Sequence, residues 1–147
     1  MTKSRTILFL LFLILISLNS CKEENQEEKT IEDVTAFATA YFNWDFPHAS
    51  KYAQPEAQEW LSFLASQITE EDITAIKEKD EAATIEVEDV EFNSTNTSAM
   101  STISVENYLL MDSIGKRPII RKHSVYTIQI SKENNSWKCG KPILKKK

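Results

Sequence analysis

Residues 120–130, Ile120-Arg121-Lys122-His123-Ser124-Val125-Tyr126-Thr127-Ile128-Gln129-Ile130, alternate with a period of two. Tyr126, Ile128 and Ile130 fall on one side, and His123, Val125 and Thr127 on the other. A strand with one packed and one wet face has this pattern. Downstream, Lys132-Glu133-Asn134-Asn135 reverses the chain into a last strand through Trp137. Upstream, Gly115 and Pro118 mark a connection, and Ala99 to Leu110 reads as another strand with Ala99, Ser101, Ile103 and Val105 facing one way. Asn93-Ser94-Thr95-Asn96-Thr97 is a turn by composition. Before it, Ile85 and Val87 share one face but Val90 and Phe92 share the other. A bulge at Glu88-Asp89 is expected there, because it returns all four side chains to one core. Sequential strands joined by short turns imply an antiparallel meander of about four strands.

The chain ahead of this sheet has helical spacing. Ile31, Val34, Phe37, Ala38, Tyr41 and Phe42 form one apolar stripe, and Thr30 with Asp33 predicts a capped start to that helix. Trp44-Asp45-Phe46-Pro47 stops it, since the residue before proline is pushed out of the helical region. Pro47 opens a short helix carrying Ala49, Tyr52 and Ala53. Pro55 opens a third, with Trp60, Leu61, Leu64 and Ile68 as its stripe and Ala57 and Phe63 flanking it. Thr69 with Asp72 predicts one more capped turn, bearing Ile73 and Ile76. Helices followed by a meander make an α+β domain over residues 30–147, its N-terminal helices packed on a curved antiparallel sheet.

The N-terminus carries an address. Lys3 and Arg5 precede an almost unbroken apolar run from Ile7 to Leu18, and Leu18-Asn19-Ser20-Cys21 closes it. That run is too short for a stable membrane span and has the layout of a secretory signal. Its end resembles a bacterial lipobox, in which residues 1–20 are removed and Cys21 becomes a lipid-bearing N-terminus (diacylglycerol, palmitate). An ordinary signal peptide or an uncleaved anchor is the competing reading. Residues 21–29 include no apolar side chain after Cys21 and read as an acidic tether. Cys-Lys followed by two acidic residues also resembles the signal that sends some lipoproteins of the Bacteroidota to the cell surface. The expectation is a cell-envelope protein anchored to the outer membrane, facing the periplasm or the exterior.

Composition excludes several chemistries. The net charge of −5 argues against a nucleic-acid partner, since phosphate recognition needs clustered positive charge. Lys141, Lys145, Lys146 and Lys147 form the one basic patch. Two glycines allow no phosphate-cradling loop, and two histidines, His48 and His123, leave no recognisable zinc spacing. No cofactor or metal is therefore expected. With Cys21 acylated, Cys139 has no partner for a disulfide and reads as a small buried hydrophobe in a strand.

The aromatic-Asp-aromatic turn Asn43-Trp44-Asp45-Phe46 is followed by a short helix with Ala49 and Tyr52, then by a helix begun at Pro55-Glu56. This opening resembles that of nuclear-transport-factor-two-like domains. So does the ending, a long strand, the hairpin Glu133-Asn134-Asn135-Ser136 and then Trp137-Lys138. More narrowly, the chain is similar to small Bacteroidota lipoproteins of unknown function with this cystatin-like cone. The resemblance implies a curved sheet wrapped around the first helix with a pocket at its wide end. Tyr41, Trp60, His123 and Tyr126 are the candidate lining residues. Relatives resembling ketosteroid isomerase or polyketide cyclases place a carboxylate and an acid there, and Asp45, Tyr41, Tyr108, His123 and Tyr126 are the candidates for such an enzyme. Asp45 before Phe46-Pro47 also reads as a turn or helix cap. The preferred reading is a non-catalytic module for a small apolar or amphipathic ligand or for a protein partner, with homodimerisation through the sheet as a further possibility. Asp112-Ser113-Ile114 is similar to the tripeptide at which exported Bacteroidota proteins carry O-glycans, making Ser113 a candidate modification site.

Overall fold

The computed structural model describes residues 25–110 and 116–146. The leader, Cys21 and Asp112-Ser113-Ile114 lie outside them. Helix α1 occupies residues 25–42, so Thr30 does not start it. Thr30 is buried, with its Oγ1 donating to the Gln26 carbonyl at 2.8 Å. Residues 25–29, tether by composition, are helical because Gln, Glu and Lys are good helix formers. Lys29 reinforces them by pairing with Glu32 at 3.1 Å and Asp33 at 3.0 Å. Asp33 is likewise no cap. Its buried carboxylate accepts the backbone N–H of Trp137 at 3.0 Å, tying the first helix to the last hairpin.

The end of α1 is a Schellman motif without glycine. Asp45 N–H bonds to the Ala40 carbonyl at 2.9 Å and Trp44 N–H to Tyr41 at 3.1 Å. Trp44 takes the left-handed position with φ 63°, which costs a side-chain-bearing residue about 1 kcal/mol or more. Its indole N–H donates to the Leu109 carbonyl at 3.2 Å and its ring stacks on Phe46, which offsets the strain. Beyond it come α2 (Phe46–Ala49), a 3-10 turn (Ser50–Tyr52), α3 (Pro55–Ser66) and α4 (Glu70–Glu78). Thr69 and Asp72 form the expected capping box on α4. That box turns the helix so that Asp72 and Ala75 are buried, while Ile73 remains 44% exposed, contrary to the stripe expected from Ile73 and Ile76.

The sheet is antiparallel in the order β1 (Thr84–Phe92), β2 (Ser98–Leu110), β3 (Ile119–Glu133), β4 (Ser136–Cys139). The β1–β2 register shifts between Val87 and Asp89. This is the expected bulge, and Ile85, Val87, Val90 and Phe92 all pack against the core. Asn134 and Asn135, with φ of 46° and 66°, supply the left-handed pair that a two-residue hairpin needs. A fifth strand, β5 (Ile143–Leu144), pairs with β3 at Tyr126 and Thr127. Sequence periodicity did not mark it, since two residues show no alternation. Asn43 joins the two halves of the fold: its side chain accepts from Ala83 N–H at 2.8 Å and donates to the Ala83 carbonyl at 3.2 Å. The outer face of the sheet is largely polar, with the cross-strand rows Asp89-Thr102-Thr127 and Glu91-Met100-Gln129.

Cys139 is fully buried in β4. Burial pushes its thiol well above the ordinary 9.0, and the nearby Asp33 adds to the rise. The phenols of Tyr41 and Tyr126 are also raised above 10.0, chiefly by burial. In each case the folded state holds its proton where the unfolded chain has lost it. Stability is therefore complete below about pH 8.5 and declines at higher pH. Urea midpoints are expected to fall between neutral pH and about pH 10.5, and Cys139→Ala should remove the first part of that decline. A midpoint constant across that range would contradict this account.

Candidate functional site

The space between α1, α3 and the inner face of the sheet is hollow. A partly open cavity of about 250 Å³ is lined by Tyr41 and Phe42 of α1, Trp44 and Phe46 of the turn, and Trp60 and Leu64 of α3. Tyr108, Leu109, Leu110, Tyr126, Pro142 and Leu144 complete it from the sheet side. Rings meet edge-on around it, Tyr41 on Phe42 at 4.9 Å and Phe42 on Tyr108 at 5.3 Å. Leu144, 49% exposed, stands at the opening.

Tyr108 reaches this cavity because Asn107 has a left-handed φ of 51°. Strict alternation from Ile103 and Val105 would turn Tyr108 outward, and the left-handed residue returns it to the core. Its hydroxyl lies 2.9 Å from that of Tyr126 and donates to Ser124 Oγ at 2.9 Å, which in turn donates to the His123 carbonyl at 2.8 Å. Tyr126 is thus the donor to Tyr108, and each hydroxyl proton in the series has an internal acceptor. Trp60 differs. Its Nε1–H is buried and, among the described residues, has no hydrogen-bond partner. The Tyr41 hydroxyl faces the indole N–H, which as a donor works against the rise that burial causes in that phenol, but the pair falls outside full hydrogen-bond geometry.

Of the expected lining residues, Tyr41, Trp60 and Tyr126 converge on the cavity and His123 does not. His123 is exposed on the outer side of β3, because Tyr126, Ile128 and Ile130 take the inner positions. Asp45 is exposed and caps α2, accepting His48 N–H at 3.2 Å. Neither lines the pocket, whose lining among the described residues carries no carboxylate or imidazole. Trp44, Pro142 and Leu144 escaped sequence reading: the first reaches the cavity through a left-handed turn, Leu144 through β5 and Pro142 just ahead of that strand.

Helices packed on an open antiparallel sheet have a solved counterpart. An NTF-2 like protein of unknown function from Shewanella oneidensis MR-1 superposes with a TM-score of 0.52 at 11% identity, over 77% of this chain and 93% of that one. The fold is nuclear-transport-factor-two-like. The intermembrane space region of chloroplast protein ARC6 is more distant, at TM-score 0.43 and 11% identity over 84% of this chain and 93% of that chain. No protein-family model and no curated protein matches the sequence. Within this nuclear-transport-factor-two-like cone, the chain's own features are the aromatic lining and the unspent Trp60 donor.

Proposed function

We propose that this is a lipid-anchored protein of a bacterial envelope whose domain binds a small apolar or amphipathic molecule without transforming it. The cavity carries the reading. A benzene-sized ligand fills an apolar cavity of about 150 Å³, so about 250 Å³ suits one or two rings or a short acyl chain. A concave apolar wall with few polar groups is the usual form of such sites. The buried Trp60 N–H is the polar group left to orient the guest, since an unpaired buried donor costs about 1–3 kcal/mol that an acceptor on the ligand would recover. The anchor rests on Lys3, Arg5, the apolar run and Cys21, which together suit acylation and outer-membrane attachment.

Native mass spectrometry of the purified protein tests the binding role. A bound small molecule, lost when Leu64→Trp fills the cavity while the melting temperature holds, is the expected result. An empty wild-type protein that also ignores added apolar probes would overturn it. Cys21→Ser should move the protein from the membrane to the soluble fraction and abolish labelling with a palmitate analogue.

A further inference from the structure

One cation is fixed at the edge of the cavity. Lys141 is exposed, and its Nζ lies 3.5 Å from the centre of the Trp60 ring. Its neighbour Pro142 lines the cavity, as does Leu144. Lys145 follows directly and is held by its backbone N–H to the Val125 carbonyl at 2.9 Å. On the sheet side Arg121 is paired across the strands with Tyr108.

Inside, the hydroxyl series from Tyr126 through Tyr108 to Ser124 uses its own protons, and the Trp60 N–H, with the Tyr41 hydroxyl beside it, has no acceptor in full hydrogen-bond geometry among the described residues. An unpaired donor and an ammonium group share one indole. A cationic guest would be repelled there, and a neutral one would gain nothing from the lysine. We propose that the ligand is a small free monocarboxylic acid with an apolar body. Its body lies against Tyr41, Phe42 and Phe46, and its carboxylate accepts from Trp60 Nε1–H and pairs with Lys141. The cation–π contact rests Lys141 on the ring, from which its flexible stem can reach the carboxylate. This inference rests on the binding role proposed above and narrows it to acids.

Titration calorimetry of the purified protein with octanoate and with octanol separates the two ideas. Octanoate should bind about tenfold more tightly than octanol at low salt, the value of one hydrogen bond to a charged group, with the gap narrowing as salt rises. Lys141→Gln should bring octanoate to the affinity of octanol and leave octanol unchanged. Trp60→Phe, which keeps an aromatic wall but removes the N–H, should weaken octanoate more than octanol. Equal affinities in the wild-type protein, or octanoate binding indifferent to Lys141→Gln, would overturn the acid and leave the cavity as a binding site. Failure of both probes to bind overturns both proposals.

Discussion

Trp137→Ala should remove a large part of the stability of the domain. The side chain is 1% exposed and packs on Phe92 with ring centres 5.6 Å apart. Truncating a buried tryptophan costs about 3–5 kcal/mol, whereas a whole domain has only about 5–15 kcal/mol. The position is sensitive for a topological reason as well. Trp137 lies in a four-residue strand held on one side by β3, with its backbone N–H held on the other by Asp33. A cavity there cannot be closed by a rigid shift of β4 without breaking one of those two ties. Urea denaturation should show a much lower midpoint with a similar slope, and Trp137→Phe should recover a large part of the loss. A decrease under about 1 kcal/mol would mean that the site collapses around the smaller side chain.

Asp33→Ala should be the next most damaging change. The carboxylate is 4% exposed and serves two donors, Trp137 N–H at 3.0 Å and Lys29 Nζ at 3.0 Å. Removing it leaves a buried N–H without an acceptor, a loss of about 1–3 kcal/mol. The ion pair adds less, because Lys29 is largely exposed and its attraction is screened by solvent. Asp33→Asn discriminates between these contributions. It retains an oxygen for Trp137 while presenting no charge to Lys29, and should cost about 1 kcal/mol or less. If Asp33→Asn proves as damaging as Asp33→Ala in chemical denaturation, the ion pair is the larger contribution and this ranking is reversed.

The two changes lie on the same seam, and that seam was hidden in the sequence. Asp33 sits 104 positions from Trp137, and nothing in local periodicity distinguishes a carboxylate that accepts a distant N–H from one that caps its own helix. The Thr30-Asp33 pair and the Thr69-Asp72 pair have the same spacing and the same residue types. Only the second forms a capping box. The difference lies in what comes before: Gln, Glu and Lys continue α1 past Thr30, whereas Thr69 is extended, with φ −104° and ψ 169°. The bulge in β1 was legible because it changes the phase of four apolar residues in a row. The left-handed Asn107, which changes the phase of Tyr108, was not, because Asn tolerates that conformation without requiring it.

The candidate site divides along the same line. Tyr41, Trp60 and Tyr126 were found because each belongs to an apolar stripe with a clear period, and a stripe must face the interior. His123 was misplaced because its alternation identifies a face without saying which face is covered. What the sequence determined by itself was the order and type of the main elements, since alternation and helical spacing are local consequences of backbone geometry. The tertiary structure alone decided that the cone is hollow, that β5 borders its opening, and that Lys141 comes to rest on Trp60. Those facts depend on contacts between residues far apart in the chain, and a cavity is defined by where side chains fail to meet, which no local pattern records.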